Sequence, residues 1–285
     1  MKAGAASRTA LGVARRRAAH QVLDSPVIFE DPLAEKIIAG LENVPSRESR
    51  GSRLLRAFVT ARSRYAEDEL ALSFNRGVRQ YVVLGAGLDT FAYRNPYAPA
   101  LKVFEVDHPD TQLWKRERLE AAGIAIPDSL RFVPVNFEKQ DLAEELKNAP
   151  DFNPALPAFF SLLGVTPYLT REALMATLQV IAAMLPGSGV VFDYAVPAGC
   201  LNPLERLALS ILSAKVAQIG EAFRLFLEPH ELSAIMRQLG FTSIEDLGQH
   251  EINARYFQNR RDGLRIGGAV GRLLRATILT AALTA

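Results

Sequence analysis

Val82-Val83-Leu84-Gly85-Ala86-Gly87-Leu88-Asp89-Thr90 is the stretch on which the reading of this chain turns. It completes a short β-branched and apolar run that begins at Gln80 and ends in two glycines one residue apart. Such a run reads as a strand. Glycines directly after a first strand let a ligand approach the backbone and permit a tight turn into a helix. A dinucleotide-binding turn would want a third glycine where Thr90 stands, so the loop is nucleotide-like but poorly suited to a pyrophosphate.

Outward from this turn, further apolar runs follow at 102–107 (KVFEVD), 130–137 (LRFVPVNF), 158–163 (AFFSLL) and 189–194 (GVVFDY). Helical stretches separate most of them, among them 111–122 and 171–184. Near-continuous apolar strands alternating with helices indicate a doubly wound α/β fold, its mostly parallel sheet covered on both faces. Upstream, the chain to about Arg76 reads helical. Asp31-Pro32-Leu33-Ala34 has the form of a helix start, with proline at the first helical position. Downstream, 201–219 reads as a helical insertion and a lid, and 243–247 and 254–257 as two closing strands, for seven strands in all. The apolar end, 276–285, preceded by Arg272 and Arg275, reads as an amphipathic helix that docks on the domain or frays. The expected organisation is one domain over 1–285: a helical cap (1–76), a nucleoside-binding half (77–200), the lid insertion (201–230), then closing strands and tail (231–285).

Composition narrows the function classes. The chain has 285 residues, 49% of them hydrophobic, enough for a sizeable core without disulfides or metals. Its one cysteine, Cys200, excludes an intramolecular disulfide and multi-cysteine metal sites, and fits a reducing cytoplasm. A formal net charge of +2 gives no electrostatic case for nucleic acid. The clusters Arg15-Arg16-Arg17 and Arg260-Arg261 read as solvated patches. No secretory signal is expected at the start, and the apolar end is too short to span a bilayer, so no membrane partner is expected.

Chemistry-bearing residues gather at the strand ends. Asp107 closes the second strand about 20 residues after Gly87, the place and distance at which an acid typically accepts hydrogen bonds from ribose hydroxyls. Glu105 is the alternative, since strand alternation points it to the same face. At the end of the third strand, Asn136 offers a carbonyl to an adenine amine and Phe137 an apolar wall. Beyond the fourth, Leu163-Gly164-Val165-Thr166-Pro167-Tyr168-Leu169 faces a transferable group, and amphipathic Tyr168 is the candidate to line a substrate cavity. Of His20, His108, His230 and His250, His108 lies nearest the site by sequence logic; turn and capping roles are commoner, and no catalytic base is assigned.

These residues carry a resemblance. The chain is similar to the leucine carboxyl methyltransferase superfamily, and within it to a bacterial branch of S-adenosylmethionine-dependent O-methyltransferases associated with polyketide tailoring. The matching blocks are Phe29-Glu30-Asp31-Pro32-Leu33-Ala34, Ala61-Arg62-Ser63-Arg64-Tyr65, Val83 through Thr90, Val103-Phe104-Glu105-Val106-Asp107-His108-Pro109, Leu163 through Leu169, and Ala254-Arg255-Tyr256-Phe257-Gln258-Asn259-Arg260-Arg261-Asp262-Gly263-Leu264. The resemblance implies a class I, Rossmann-like methyltransferase fold with a helical N-terminal cap, and S-adenosylmethionine as donor. It implies a cap arginine on the donor's carboxylate, Arg62 with Arg64 as the near alternative. It puts Gly85 on the donor and Asp107 on its ribose, with Ala86, Gly87, Asp89, His108, Leu163 and Gly164 beside them. Two departures stand out. Asn136-Phe137 replaces the family's frequent Asp-Leu, and Leu163 stands where eukaryotic members carry a glutamate, which argues against their phosphatase-tail substrate.

The resulting expectation is an O-methyltransferase acting on a carboxylate or hydroxyl of a small, hydrophobic metabolite. A nicotinamide-dependent oxidoreductase and a non-catalytic S-adenosylmethionine-binding protein are the competing readings.

Overall fold

The structure is a computed structural model that describes residues 8–41, 48–137, 139–218 and 222–279. Among these residues seven strands form one sheet: Gln80–Leu84 (β1), Lys102–Asp107 (β2), Leu130–Pro134 (β3), Ala158–Leu162 (β4), Gly189–Ala195 (β5), Ser243–Leu247 (β6) and Gly271–Thr277 (β7). Their order is β3-β2-β1-β4-β5-β7-β6. β7 pairs antiparallel with both β5 and β6, and the other pairings are parallel. Gln80 aligns with Lys102 on one side of β1 and with Ala158 on the other. The chain therefore leaves β1 in both directions across the sheet, and a crevice opens where the order reverses, outside the carboxyl ends of β1 and β4.

Every residue of β1, β4 and β5 is buried, which is why these runs read as continuous rather than alternating. Val82 and Leu84 pack on one face with Phe104, Phe160 and Phe192, beneath Leu174 and Leu178 of Arg171–Ala182 (an α-helix, named α6 below). Tyr81 and Val83 pack on the other with Phe159 and Val191, beneath Ala61 and Tyr65. The remaining helices are α1 (Arg8–Leu23), α2 (Ala34–Ile38), α3 (Arg50–Asn75), α4 (Pro109–Ala121), α5 (Leu142–Asn148), α7 (Pro203–Gln218), α8 (Pro229–Gln238) and α9 (Gln249–Tyr256). Local signals start several of them. The Ser49 side chain accepts from the Ser52 N–H, and Thr170 from that of Ala173, freeing the first turns of α3 and α6 from unpaired donors.

Four expectations need correction. Residues 254–257 are not a closing strand. They end α9, whose start is fixed by the Gly248 N–H donating to Glu251 Oε2. The missing strand is β7, in the stretch read as leading into a docked terminal helix. Leu273, Leu274 and Ala276 are all fully buried between β5 and β6, so this strand lacks the alternation that would have betrayed it. Residues 280–285 lie outside the described residues. The third strand stops at Pro134, leaving Asn136 and Phe137 in the following turn. Finally, the glycine turn leads only into a single 3-10 turn, Phe91–Tyr93, where a pyrophosphate site would want a helix N-terminus.

The cap is locked onto the sheet by charge. Asp31, fully buried, accepts from Arg17 Nε on α1 at 3.0 Å and from the Thr90 hydroxyl at 2.8 Å, with Arg94 Nε 3.6 Å away. Arg17 also donates to the Leu88 carbonyl. It is thus no solvated patch but a buried clamp. Arg260 is likewise buried against Asp262; burial, the largest single influence, pushes that carboxyl up, but Arg260 and the Leu264 and Ser25 N–H groups together outweigh it and bring it down to about 2. A second tie fastens α1 to α3. The His20 Nε2 accepts from the Ile28 and Phe29 N–H groups, so Nδ1 carries the proton that reaches Asp24 at 2.7 Å, and Arg56 grips Asp24 with two bonds of 2.9 Å. Replacing Asp31 with alanine leaves Arg17 in the interior with only the more distant Asp89, 3.8 Å away, as its anion. Asp31→Ala is expected to cost on the order of 3–5 kcal/mol of unfolding free energy in urea titrations. A loss under about 1 kcal/mol would show that the clamp is decorative.

Candidate functional site

The turn after β1 is pulled sideways onto β2. The Gly85 and Ala86 N–H groups both donate to the Val106 carbonyl, at 2.7 and 3.2 Å. Gly85 sits at φ +69°, and a Cβ there would come within 2.2 Å of a Val165 methyl; neither the conformation nor the space admits a side chain. Two residues on, the Gly87 N–H donates to Asp107 Oδ2 at 2.6 Å, while Asp107 Oδ1 accepts from the His108 N–H at 2.7 Å. Each carboxylate oxygen keeps further acceptor capacity for hydroxyls.

This turn forms one wall of a crevice of about 430 Å³. Gly85, Ala86, Gly87 and Asp89 line it from β1, Asp107 and His108 from β2, Asn136 and Phe137 from the turn after β3, and Leu163, Gly164 and Tyr168 from beyond β4. Arg62 enters from α3. The structure thus brings together nearly every residue that the sequence proposed. Two it does not. Arg64 is exposed, paired with Asp68 at 2.8 Å and hydrogen-bonded to the Ile28 carbonyl. Residues two apart on a helix point some 200° apart, so Arg62 and Arg64 cannot share one cavity. Glu105 is sealed one pleat deeper, 2.7 Å from Lys115 Nζ and 3.3 Å from the Tyr93 hydroxyl.

Sequence reasoning missed other walls. Thr9, Ala10, Val13 and Arg17 of α1 cover the crevice, and Ala10 presses so close to Gly87 that a Cβ there would lie 3.1 Å from its own. Three successive arginines on a helix point three ways, which was the available signal that one of them turns inward. Thr111, Ser161 and Arg224 were also missed. From the segment expected to be a lid, Ala222 and Arg224 reach the walls, while α7 contributes no described residue to them. His108 serves as the N-cap of α4, its Nδ1 accepting from the Asp110 N–H at 3.3 Å.

The electrostatics suit a polar, charged guest. Burial pushes the Asp89 carboxyl up, but the cations Arg17, Lys115 and Arg94 outweigh it and hold Asp89 below the ordinary value. Burial raises Asp107 instead, with the Gly87 and His108 N–H groups only partly offsetting it. Arg62 Nη1 meets Asp193 Oδ2 at 2.9 Å. Arg62 Nε and the Thr111 hydroxyl are buried without a hydrogen-bond partner among the described residues. A ligand with hydroxyls and a carboxylate would fill these vacant capacities. Among the described residues, no cluster of three or more His, Cys, Asp or Glu could hold a metal, and no helix is long and apolar enough to cross a membrane.

A carboxyl whose folded-state pKa is raised stabilises the fold fully below its unfolded value, 3.8 here, and loses that contribution as pH rises through the raised value. Asp107→Asn cannot titrate. The urea stability of this variant should therefore gain on that of the parent as pH climbs above 3.8 without ligand; a difference constant between pH 4 and 7 would contradict the assignment.

The family model for leucine carboxyl methyltransferase matches residues 10–182. A Bacillus subtilis protein named "Putative S-adenosyl-L-methionine-dependent methyltransferase YktD" is 33% identical over an alignment covering 93% of this chain and 95% of that protein. A similarly named Mycobacteroides abscessus protein is 34% identical over 71% of this chain and 68% of its own length. Among solved structures, a DUF574 family protein from Streptomyces avermitilis superposes with a TM-score of 0.57 at 16% identity, covering 86% of this chain and 95% of the other, a likeness of fold.

Proposed function

The chain belongs to the leucine carboxyl methyltransferase family and carries the class I, Rossmann-like methyltransferase fold, and on that premise we propose that this S-adenosylmethionine-dependent methyltransferase methylates an oxygen, carboxylate or hydroxyl, of a small hydrophobic metabolite. The observation that carries the reading is the meeting of three groups in one crevice: the side-chain-free turn at Gly85, the acid Asp107 and the guanidinium of Arg62. They match a nucleoside that bears an amino-acid carboxylate. In this reading the backbone at Gly85 and Gly87 passes close to the donor and Asp107 accepts from its ribose hydroxyls. Asn136 and Phe137 meet the adenine, and Arg62 takes the carboxylate through a fork of donors.

The bound donor supplies an electrophilic methyl on a sulfonium, so the protein's part is alignment more than activation. A carboxylate acceptor is ionised at neutral pH and needs no base; a hydroxyl would benefit from one. The far end of the crevice, where Tyr168 and Leu169 stand, is backed by aromatic side chains. Tyr168 lies 5.5 Å from Phe223, and Phe223 6.3 Å from Phe226, ring centre to ring centre. In this reading Tyr168 and Leu169 favour an apolar acceptor body.

Calorimetry with S-adenosylhomocysteine tests the assignment. Asp107→Ala should abolish measurable binding, and an unchanged affinity would remove Asp107 from the donor site. Tyr168→Phe should leave donor affinity intact and change the rate with an accepted substrate by only a few-fold, because the ring is retained. Transfer of label from S-adenosylmethionine to a component of cell extract separates a working enzyme from a protein that only binds the donor.

A further inference from the structure

Arg62 has a long, flexible side chain, yet its guanidinium is held on two sides. Nη1 donates to Asp193 Oδ2 at 2.9 Å. Gly164 lies against it so closely that a Cβ there would fall 2.6 Å from Nη2 and 2.9 Å from Nη1. The same glycine, at φ +73°, turns its N–H onto the other carboxylate oxygen, Asp193 Oδ1, at 2.5 Å. One carboxylate therefore fastens the cap arginine and the loop after β4 together. Asp193 is 4% exposed, belongs to the fully buried strand β5, and is absent from the crevice walls.

A carboxylate in such a strand is costly to bury, and an apolar residue would serve the sheet at least as well. What Asp193 adds is direction. An arginine that is ordered before its anion arrives spares the entropy of ordering it on binding. We propose that Asp193 is a positioning residue that aims Arg62 at the carboxylate of the methyl donor and acts through Arg62 alone. The inference rests on the reading that Arg62 meets that carboxylate. An asparagine at 193 keeps one acceptor oxygen but turns an amide N–H2 toward either Arg62 or the Gly164 N–H, so the two bonds cannot both survive.

Two probes separate the possibilities: S-adenosylhomocysteine, and 5′-methylthioadenosine, a related nucleoside without the carboxylate. Asp193→Asn should weaken S-adenosylhomocysteine about tenfold or more, the scale of a charge-assisted hydrogen bond, and leave 5′-methylthioadenosine unchanged. Arg62→Met should show the same selectivity. The double variant, which buries no unpaired charge, should bind S-adenosylhomocysteine as Arg62→Met does. If Arg62→Met keeps full affinity for S-adenosylhomocysteine, the reading of Arg62 falls and the inference with it. If Arg62→Met is weakened and Asp193→Asn is not, or binds more tightly because a neutralising charge has gone, the inference alone falls. It also falls if Asp193→Asn loses both probes, or if the double variant binds S-adenosylhomocysteine more weakly than Arg62→Met. That last comparison needs no single Asp193 variant, so it holds even should Asp193→Asn fold poorly.

Discussion

The site depends on one constraint: the backbone leaving β1 is tied to β2 before it can form a helix. Two N–H groups share the Val106 carbonyl, and a third reaches Asp107. The chain can satisfy these bonds only with a left-handed residue at Gly85 and with the space that Val165 leaves when no side chain intrudes. The tie holds the turn flat across the carboxyl ends of the strands, where the sheet order reverses. The crevice is what remains beside it, and Asp107 is both the anchor of the turn and an acid exposed to whatever enters.

Around that turn the protein spends its buried charge in pairs. Asp31 joins α1 to the glycine turn through Arg17 and Thr90, Asp24 joins α1 to α3 through His20 and Arg56, and Asp193 joins α3 to the loop after β4 through Arg62 and Gly164. Buried ion pairs contribute little net stability, because desolvation offsets most of their attraction, but each half is costly without the other. Such pairs therefore fix geometry. They hold a helical cap over a cavity in one arrangement, and two of the three use arginines whose side chains also line the crevice wall.

Methyl transfer from a sulfonium asks for alignment and dryness, and a lining that includes Tyr168 and Leu169 would favour both. The glycine turn leads into three residues of 3-10 helix, not a helix whose N-terminus could hold a pyrophosphate, which weighs against a nicotinamide dinucleotide on this sheet.

The sequence by itself determined the parallel strands, the glycine turn, the acid at 107 and part of the crevice's lining, because each is written in contiguous residues: an apolar run, a glycine pair, a strand end. It misplaced the seventh strand, because a strand buried on both faces between two others has no alternation to reveal it, and the aromatic stretch 254–257 looked more strand-like than 271–277 did. Only the tertiary structure put Arg62 at the crevice and Arg64 at the surface, withdrew Glu105 behind Lys115, and turned Arg17 and Asp193 inward. Those outcomes depend on which side of a helix or pleat faces a partner far along the chain, and a charged residue looks the same in one dimension whether its partner is water or a buried carboxylate.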